Sequence, residues 1–299
     1  MNGWNNGEFD YCVRDGQAVI QKSYSKGIIE VPKQIDGCPV RELADYVFAA
    51  ANGKAEPEEI YLPQSIRRIG RYAFYNCTML RKLSFYTDIA DVGAGAFTGC
   101  HHVEELDVTV TGDAAACLKE ILMELPEKMR VWYRTKEGTA KLLFPEYFEE
   151  GVENTPARIL ETHTHGSGMY YRNCFVQKKL QFSEYDERFS MAEAQEEIEL
   201  LLELVFSRVN YPFLLTQKAR GRYQEFLRKH WEKAGLWCLA NQDMSGICYL
   251  ADNCLDSCEK LEWLTEQAIE AKRMEAVSYL QDCRHKKFPL GNKKGRFVL

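Results

Sequence analysis

The fold is decided by the stretch Ile69-Gly70-Arg71-Tyr72-Ala73-Phe74-Tyr75-Asn76-Cys77-Thr78-Met79-Leu80-Arg81-Lys82-Leu83, which recurs as Val92-Gly93-Ala94-Gly95-Ala96-Phe97-Thr98-Gly99-Cys100-His101-His102-Val103-Glu104-Glu105-Leu106. The two copies are 23 residues apart, as the step from Phe74 to Phe97 shows. A degenerate third copy runs from Leu43 to Ile60, and its three additional residues fall within 52–57. A fixed period of this length predicts a solenoid, because one such unit cannot close a core alone and must stack on its neighbours.

Short alternating segments accompany the copies at 29–32, 60–63, 83–85 and 106–108. This alternation predicts strands with one buried face, stacked ~4.8 Å apart in successive coils. The glycine after the aliphatic residue suits a tight corner. The predicted repeat core consists of Phe48, Ile69, Phe74, Cys77, Leu80, Leu83, Val92, Phe97, Cys100, Val103 and Leu106.

Cys77 and Cys100 occupy the same inward slot of successive copies. Stacking would bring their Cα atoms within disulfide range, but their Cβ vectors should run parallel. The chain has eleven cysteines, an odd number scattered from Cys12 to Cys283. We therefore expect reduced thiols that pack as small hydrophobic groups.

The consensus aliphatic-Gly-x-x-Ala-Phe-x-x-Cys-x-x-Leu-x-x-Leu resembles the BspA-type leucine-rich repeat of bacterial proteins. Residues 28–43 are similar to the first strand and turn of that family, the strong match covers 28–108, and a weaker one reaches back to Phe9. In the first copy Ala44 replaces the corner glycine and Val47 the alanine, which makes that coil less regular. The resemblance implies a short right-handed α/β leucine-rich-repeat solenoid with a binding role and no chemistry.

A binding face would lie on the outward side of the predicted strands. Four rungs span only ~14 Å and three-residue strands are only ~10 Å long, so the area of this ladder falls well short of the ~800 Å² per partner of a standard interface. Flanking regions would have to contribute the rest. The outward positions that we predict to form the middle of a contact are Glu30, Tyr61, Ser84, Tyr86 and Asp107.

The repeat stops after Val110, and a helix from Asp113 to Leu125 with a strand over 129–133 is predicted to cap the solenoid. We therefore expect a first domain over 1–135. Residues 136–189 are predicted to form a connecting region with a β-hairpin at 158–176, turning at Gly166-Ser167-Gly168.

Residues 190–299 are predicted to form a mostly α-helical domain of antiparallel helix pairs. A capping box at 190–193 precedes apolar residues with helical spacing from Ile198 to Val209, and Pro212 ends the pattern. Further helices are predicted over 216–233, 235–241, 244–253, 256–271 and 273–284. The last two resemble an ankyrin-like helix pair, although a generic helical repeat fits equally well.

Composition excludes several classes of protein. The 299 residues carry 38 basic and 44 acidic side chains, so the net charge of -6 argues against generic binding to nucleic acid. Charged residues make up 27% of the chain, and we find no apolar run of the ~20 residues that a membrane span needs. Aromatic residues at 12% argue against wholesale disorder. No dinucleotide or phosphate fingerprint occurs, and we expect no cofactor.

The enzymatic alternative is a metal-dependent hydrolase centred on His163 and His165. An H-x-H pair on a strand places both imidazoles on one face, and Glu161 shares that parity. No second histidine cluster accompanies them, so a purely structural strand and turn is favoured. A Cys174 nucleophile with one of these histidines as base is conceivable, but a lone cysteine among aromatics is more often inert. A zinc site at Cys248, Cys254 and Cys258 lacks a fourth ligand.

The favoured function is therefore a non-catalytic protein-protein interaction, made through the repeat face, the helical domain or both. The partner would be another protein or a second copy of the chain, with no nucleic acid and no membrane. The first residues lack a basic segment followed by an apolar one, which predicts a cytoplasmic location. A cell-surface adhesin is the second alternative, and it follows only from the resemblance.

Overall fold

The structure is a computed structural model that describes residues 4–5, 7–49, 56–112, 116–154 and 159–289. The chain divides into two compact units, one of Met1–Glu197 with Tyr211–Leu214 and the other of Ile198–Asn210 with Leu215–Leu299. Residues 136–197 thus belong to the repeat-containing unit. The boundary lies at 197/198, and the expected ends at 135 and 189 do not mark separate compact units.

The first unit begins with a two-sided solenoid. Its strands are β1 (Trp4–Asn5), β2 (Phe9–Arg14), β3 (Gln17–Ser23), β4 (Lys26–Glu30), β5 (Gln34–Ile35), β6 (Cys38–Leu43), β7 (Glu56–Tyr61), β8 (Arg68–Ile69), β9 (Lys82–Tyr86), β10 (Asp91–Val92), β11 (Glu105–Thr109), β12 (Met129–Arg134) and β13 (Thr139–Phe144). One sheet, the short-strand sheet, has the order β1-β2-β3-β6-β8-β10, with β5 beside β6. The other, the long-strand sheet, has the order β13-β12-β11-β9-β7-β4. Successive coils add parallel strands to both sheets, and β13 closes the second sheet antiparallel to β12.

The register confirms the repeat. Ile69 pairs with Val92, and Leu83 pairs with Leu106, at the predicted period of 23 residues. Leu43 pairs with Ile69, which fits three additional residues in the first copy. The three additional residues are expected within 52–57. Residues 52–55 of that segment lie outside the described residues.

A column of stacked phenylalanines forms the centre of the solenoid. The ring centroids of Phe48 and Phe74 are 5.4 Å apart, and those of Phe74 and Phe97 are 4.8 Å apart, with all three side chains buried. The corner glycines allow this close stacking. A Cβ at Gly70 would lie 2.5 Å from the backbone of Ala44, and one at Gly93 would lie 2.4 Å from the backbone nitrogen of Arg71, in each case in the preceding coil. Coil spacing therefore depends on glycine at these corners.

Ten of the eleven predicted core residues are buried, and Val92 is not. Val92 is half-buried, and it lies on β10, the last strand of its sheet, against which helix α1 (Ala116–Glu124) packs. Cys77 and Cys100 are buried free thiols that donate to the carbonyls of Phe48 and Phe74, at 3.2 and 2.9 Å. Their contact with each other and their burial raise the pKa of Cys77.

A carboxylate ends the coil stack. In the inner coils the amides of Tyr46 and Phe48 donate to carbonyls of the following coil, at 3.1 and 2.8 Å. The equivalent amides of the last coil, those of Gly95 and Phe97, donate instead to the two carboxylate oxygens of Glu124, at 2.8 and 3.0 Å. Glu124 lies on helix α1 (Ala116–Glu124), so this helix supplies the acceptors that another coil would offer. Residues 113–115, which include Asp113 at the start of the predicted helix, lie outside the described residues.

The remainder of the first unit follows the cap. It contains β14 (Phe148–Asn154), β15 (Ile159–His165), α2 (Gly168–Arg172), β16 (Phe175–Val176), β17 (Lys179–Leu180), α3 (Phe182–Glu187) and α4 (Phe189–Gln195). The predicted hairpin at 158–176 is wrong. Strand β15 pairs antiparallel with the preceding β14, and the residues expected to return as a strand form α2. Gly168 is needed there because a Cβ would lie 2.1 Å from the carbonyl oxygen of Pro145.

Arg172 holds the cap to this region. Its side chain is fully buried, and its guanidinium donates to the carbonyls of Leu122, Leu125, Glu127, Pro145 and Gly168 at 2.5–3.2 Å. The first three are carbonyls at or just beyond the end of α1, where helical partners are missing. Burial lowers the pKa of Arg172 to about 10. The side chain is therefore a structural clamp.

The second unit is helical, as predicted. Its helices are α5 (Ile198–Asn210), α6 (Gln217–Lys229), α7 (Trp231–Asn241), α8 (Met244–Asn253), α9 (Cys258–Glu270) and α10 (Met274–Lys287). The capping box at 190–193 is wrong, because Ser190 lies inside α4 and extended backbone at Glu196 separates that helix from α5. The N-cap of α9 is Ser257, one residue beyond the predicted start of this helix at residue 256.

Two helical hairpins of this unit share one turn geometry. Gln242 and Lys272 follow α7 and α9, and both have a φ of 57°. In each turn the next amide donates back into the helix, from Asp243 to Cys238 at 2.9 Å and from Arg273 to Ala268 at 2.8 Å. Helix α7 packs on both α8 and α9, and α10 packs on both α9 and α8. The first helices of the two hairpins thus contact each other, and so do the second helices.

Candidate binding face

The outward side chains of the long-strand sheet form straight rows because its strands are in register. Glu30, Tyr61, Ser84 and Asp107 are directly paired across β4, β7, β9 and β11, and β12 extends the row with Trp132. We call this the central row. Four of the five sequence-predicted positions thus lie side by side.

The fifth predicted position, Tyr86, lies in the adjacent row. It is two residues beyond Ser84 on the same face of β9, and it pairs with Thr109, which pairs with Arg134. Ser84, Tyr86 and Thr109 are half-buried, and Arg134 is exposed. The predicted residues therefore belong to one continuous surface.

Ion pairs cross the strands of this surface. Lys82 lies 2.8 Å from Glu105, and Arg134 contacts both oxygens of Asp107, at 2.7 and 3.0 Å. The hydrogen bond to each carboxylate raises the pKa of Lys82 and of Arg134. Pairs this exposed contribute little to stability, so their main effect is to orient the side chains.

Trp132 is the largest aromatic group of the central row. Arg134 and Lys141 each lie 5.0 Å from its ring, and the ring of Tyr211 meets it edge-on at 4.8 Å. Its indole nitrogen donates to Glu105 at 3.4 Å. These contacts hold a half-buried, cation-flanked aromatic group in a fixed position, which is typical of the anchors of protein interfaces.

A shallow groove of about 530 Å³ lies at the other end of the face. We call it the tyrosine groove because Tyr61 and Tyr86 line it together with Pro32 and Pro63. The Tyr61 hydroxyl donates to Glu59 at 2.6 Å, and this bond raises the pKa of Tyr61. Glu59 thus holds the Tyr61 hydroxyl, and the ammonium group of Lys82 lies 6.0 Å from the centre of the ring.

The sequence interpretation missed Trp132 and Arg134. It assigned β12 only to the cap, although Met129, Val131 and Tyr133 alternate with them. That alternation was sufficient to place Trp132 on the outward face, and pairing with β11 makes it part of the surface.

The histidines of the enzymatic alternative lie elsewhere, on the ribbon of β14 and β15. His163 and His165 are exposed on one face of β15, and His165 contacts Glu150 at 3.2 Å. The structure describes the backbone of Glu161 but not its side chain. Among the described residues, no three His, Cys, Asp or Glu side chains are grouped to hold a metal ion.

Burial argues against reactive thiolates at two of the cysteine candidates, Cys174 and Cys254. Cys174 is buried, donates to the carbonyl of Tyr170 at 3.3 Å, and has a pKa raised by burial. A raised pKa disfavours the thiolate that a nucleophile needs. Cys254 is likewise buried, and burial raises its pKa to about 11.

Comparison with known proteins identifies the repeats. Residues 41–114 match the BspA type leucine rich repeat region, in six copies. No curated protein matches the chain. In the described part of the chain, no helix combines the length and the apolar character that crossing a membrane requires.

Three solved bacterial structures are similar to part of the chain. A leucine rich cell surface protein from Faecalibacterium prausnitzii is 24% identical over 36% of this chain and 33% of its own, with a TM-score of 0.31. A leucine-rich repeat protein from Bacteroides capillosus is 19% identical over 36% of this chain and 82% of its own, with a TM-score of 0.33. The T. pallidum leucine rich repeat protein is 18% identical over 45% of this chain and 84% of its own, with a TM-score of 0.25.

The chain spans about a third of the Faecalibacterium protein. Four observations indicate the same repeat. They are the period of the sequence, the phenylalanine column, the parallel strands and the family match over 41–114. Residues 41–114 of the chain therefore form a BspA-type leucine-rich repeat region.

Proposed function

We propose that the chain is a non-catalytic interaction protein whose binding surface is the outward face of the long-strand sheet. The observation that carries the proposal is the central row with its neighbours, which aligns Tyr61, Ser84, Asp107 and Trp132 in one continuous surface. Fixed aromatic side chains between ion pairs suit a protein partner, because they bury large area at low entropic cost.

Strand β12 enlarges the surface beyond the repeats. It adds Trp132 and Arg134, and β13 adds Lys141, which is paired with Trp132. The cap therefore contributes part of the area that the bare ladder lacks for a standard interface. The partner is a different protein or a second copy of this chain.

The test uses a photo-crosslinking amino acid placed at Ser84 on this face. The matched control carries this amino acid at Asp91. Asp91 is exposed and lies on β10, in the short-strand sheet. Irradiation in a lysate of the cells that produce the protein should give a discrete adduct from position 84 and none from position 91. Sedimentation velocity then shows whether the adduct is a self-dimer.

Equal adducts from both positions, or none from position 84, would contradict the proposal. A second pair of variants makes the result independent of the probe. Trp132→Ala should reduce the yield at position 84, whereas Met79→Ala, which truncates a side chain 47% exposed in a loop, should not.

A further inference from the structure

A second groove continues the tyrosine groove around the corner of the solenoid. Its volume is about 360 Å³, and Lys33, Arg41 and Arg67 line it. The two grooves share Lys33 and Tyr86, so they form one path from the central row to the turns. We call the second hollow the basic groove.

Two of its cations have no carboxylate partner among the described residues. Lys33 is exposed, and Arg41 donates from one nitrogen only to the carbonyl oxygen of Ser65, at 3.1 Å. Arg67 differs, because it lies 3.5 Å from Asp88.

Several cations elsewhere on the solenoid are ion-paired. Lys26, Arg68, Lys82 and Arg134 lie 2.7–3.1 Å from carboxylate oxygens. Lys33 and Arg41 differ from these four, and they lie together in the basic groove. A chain with a net charge of -6 gains no general attraction for anions, so a complementary anionic group would have to bind here specifically.

We propose that the two grooves bind an extended acidic peptide segment of the partner, with its carboxylates at Lys33 and Arg41 and an adjacent apolar side chain on Tyr61 and Tyr86. This proposal rests on the proposed function and adds the chemistry of the partner. The guanidinium and ammonium groups would donate charge-assisted hydrogen bonds to the carboxylates. The tyrosine rings and the prolines Pro32 and Pro63 would cover the apolar residue.

The shape and charge of the grooves favour a peptide over other anions. The hollows are shallow and continuous, so a small molecule would leave much of its surface exposed, whereas an extended chain could follow both. A nucleic acid needs several clustered cations, but Glu30 and Asp88 lie at or beside these grooves. Glu30 places a negative charge in the lining of the tyrosine groove. This charge would repel the carboxylates of the peptide and so orient the peptide along the two grooves.

The experiment measures fluorescence anisotropy of a fluorescein-labelled octapeptide, Gly-Glu-Glu-Phe-Glu-Glu-Phe-Gly, with the full chain. The matched peptide replaces each glutamate by glutamine. The double variant Lys33→Ala/Arg41→Gln should weaken binding of the acidic peptide by about tenfold, because it removes two charged donors. The glutamine peptide should bind at least about tenfold more weakly to the wild-type chain, and rising salt should weaken the acidic peptide.

The control variant Lys26→Ala/Arg81→Gln has the same change in net charge. Both residues are exposed, ion-paired and outside the two grooves. Thermal unfolding of each variant establishes that it is folded. An equal loss in the control variant, equal binding of the two peptides, or no binding of either would overturn the proposal.

Two further readouts separate this proposal from others. If an oligothymidylate binds more tightly than the acidic peptide, the ligand of the grooves is a nucleic acid and the peptide proposal is wrong. If the peptide fails to bind while position 84 still gives its specific adduct, the acidic partner is wrong and the proposed interaction face stands. If both experiments fail, the proposed function fails as well.

Discussion

Removing the carboxylate of Glu124 should loosen the last coil of the solenoid. In Glu124→Ala the amides of Gly95 and Phe97 lose acceptors that are now 2.8 and 3.0 Å away. Hydrogen bonds to charged groups contribute about 1.5–3 kcal/mol each, and the half-buried site lets water replace part of them. We expect a loss of about 2–4 kcal/mol in the free energy of unfolding of the first unit.

Two further variants test whether acceptor geometry is the cause. Glu124→Gln keeps one carbonyl oxygen and should lose about 1–2 kcal/mol, since one amide stays paired. Glu120→Ala removes an exposed carboxylate from the same helix and should change stability by less than about 0.5 kcal/mol. Urea unfolding gives the free energies, and hydrogen exchange of the peptide covering 93–100 reports the two amides directly.

Exchange at 93–100 should accelerate at least about tenfold in Glu124→Ala, because both amides then open to water. If the alanine variants at 124 and 120 unfold at the same urea concentration, with exchange at 93–100 unchanged, then the carboxylate does not substitute for a further coil. In that case the stability of the cap would come from its apolar contacts alone.

The remaining predictions concern the core, the clamp and the thiols. Phe74→Ala should cost about 3–5 kcal/mol in urea unfolding, because the side chain is fully buried between two stacked rings, and a loss below about 1 kcal/mol would contradict the stacking. Arg172→Met leaves several buried carbonyls without donors and should cost at least about 4 kcal/mol, whereas Arg172→Lys, which can reach only some of them, should cost less. Wild-type melting temperatures in both variants would show that Arg172 is dispensable. Iodoacetamide at pH 8 should label the native chain at no more than three of its eleven thiols, because the other eight are buried and burial raises the pKa of thiols such as that of Cys117 to about 12. A fourth adduct by intact-mass analysis would contradict the described burial. The three half-buried thiols are Cys38, Cys248 and Cys258.

The repeat could be predicted in detail because its information is local and periodic. Equivalent residues such as Phe74 and Phe97 must stack when coils stack, so one period fixes the register of both sheets. The same alternation places Tyr61 and Ser84 outward. The central row was therefore accessible from the sequence, and its extension to Trp132 needed only the same parity applied to the cap.

The region after the repeats depends on contacts that no local pattern encodes. The alternation in 159–165 predicts a strand, but it cannot tell whether the partner strand precedes or follows. Gly168 suggested a turn, whereas its role is to approach the Pro145 carbonyl. The clamp of Arg172 joins carbonyls 27–50 residues away in the chain, and no spacing rule connects them. The unpaired state of Lys33 and Arg41 is likewise visible only once the folded neighbours are known.

The separation between the repeating coils and the cap has a consequence for how such proteins can diversify. Each coil offers the next one the same amides, and Glu124 accepts from whichever coil comes last. Duplicating or deleting a 23-residue unit would therefore leave both ends chemically unchanged and alter the distance from the tyrosine groove to Trp132 in steps of ~4.8 Å. If the proposed face binds a partner, the number of units would set the spacing between the tyrosine groove and Trp132 without a change in either.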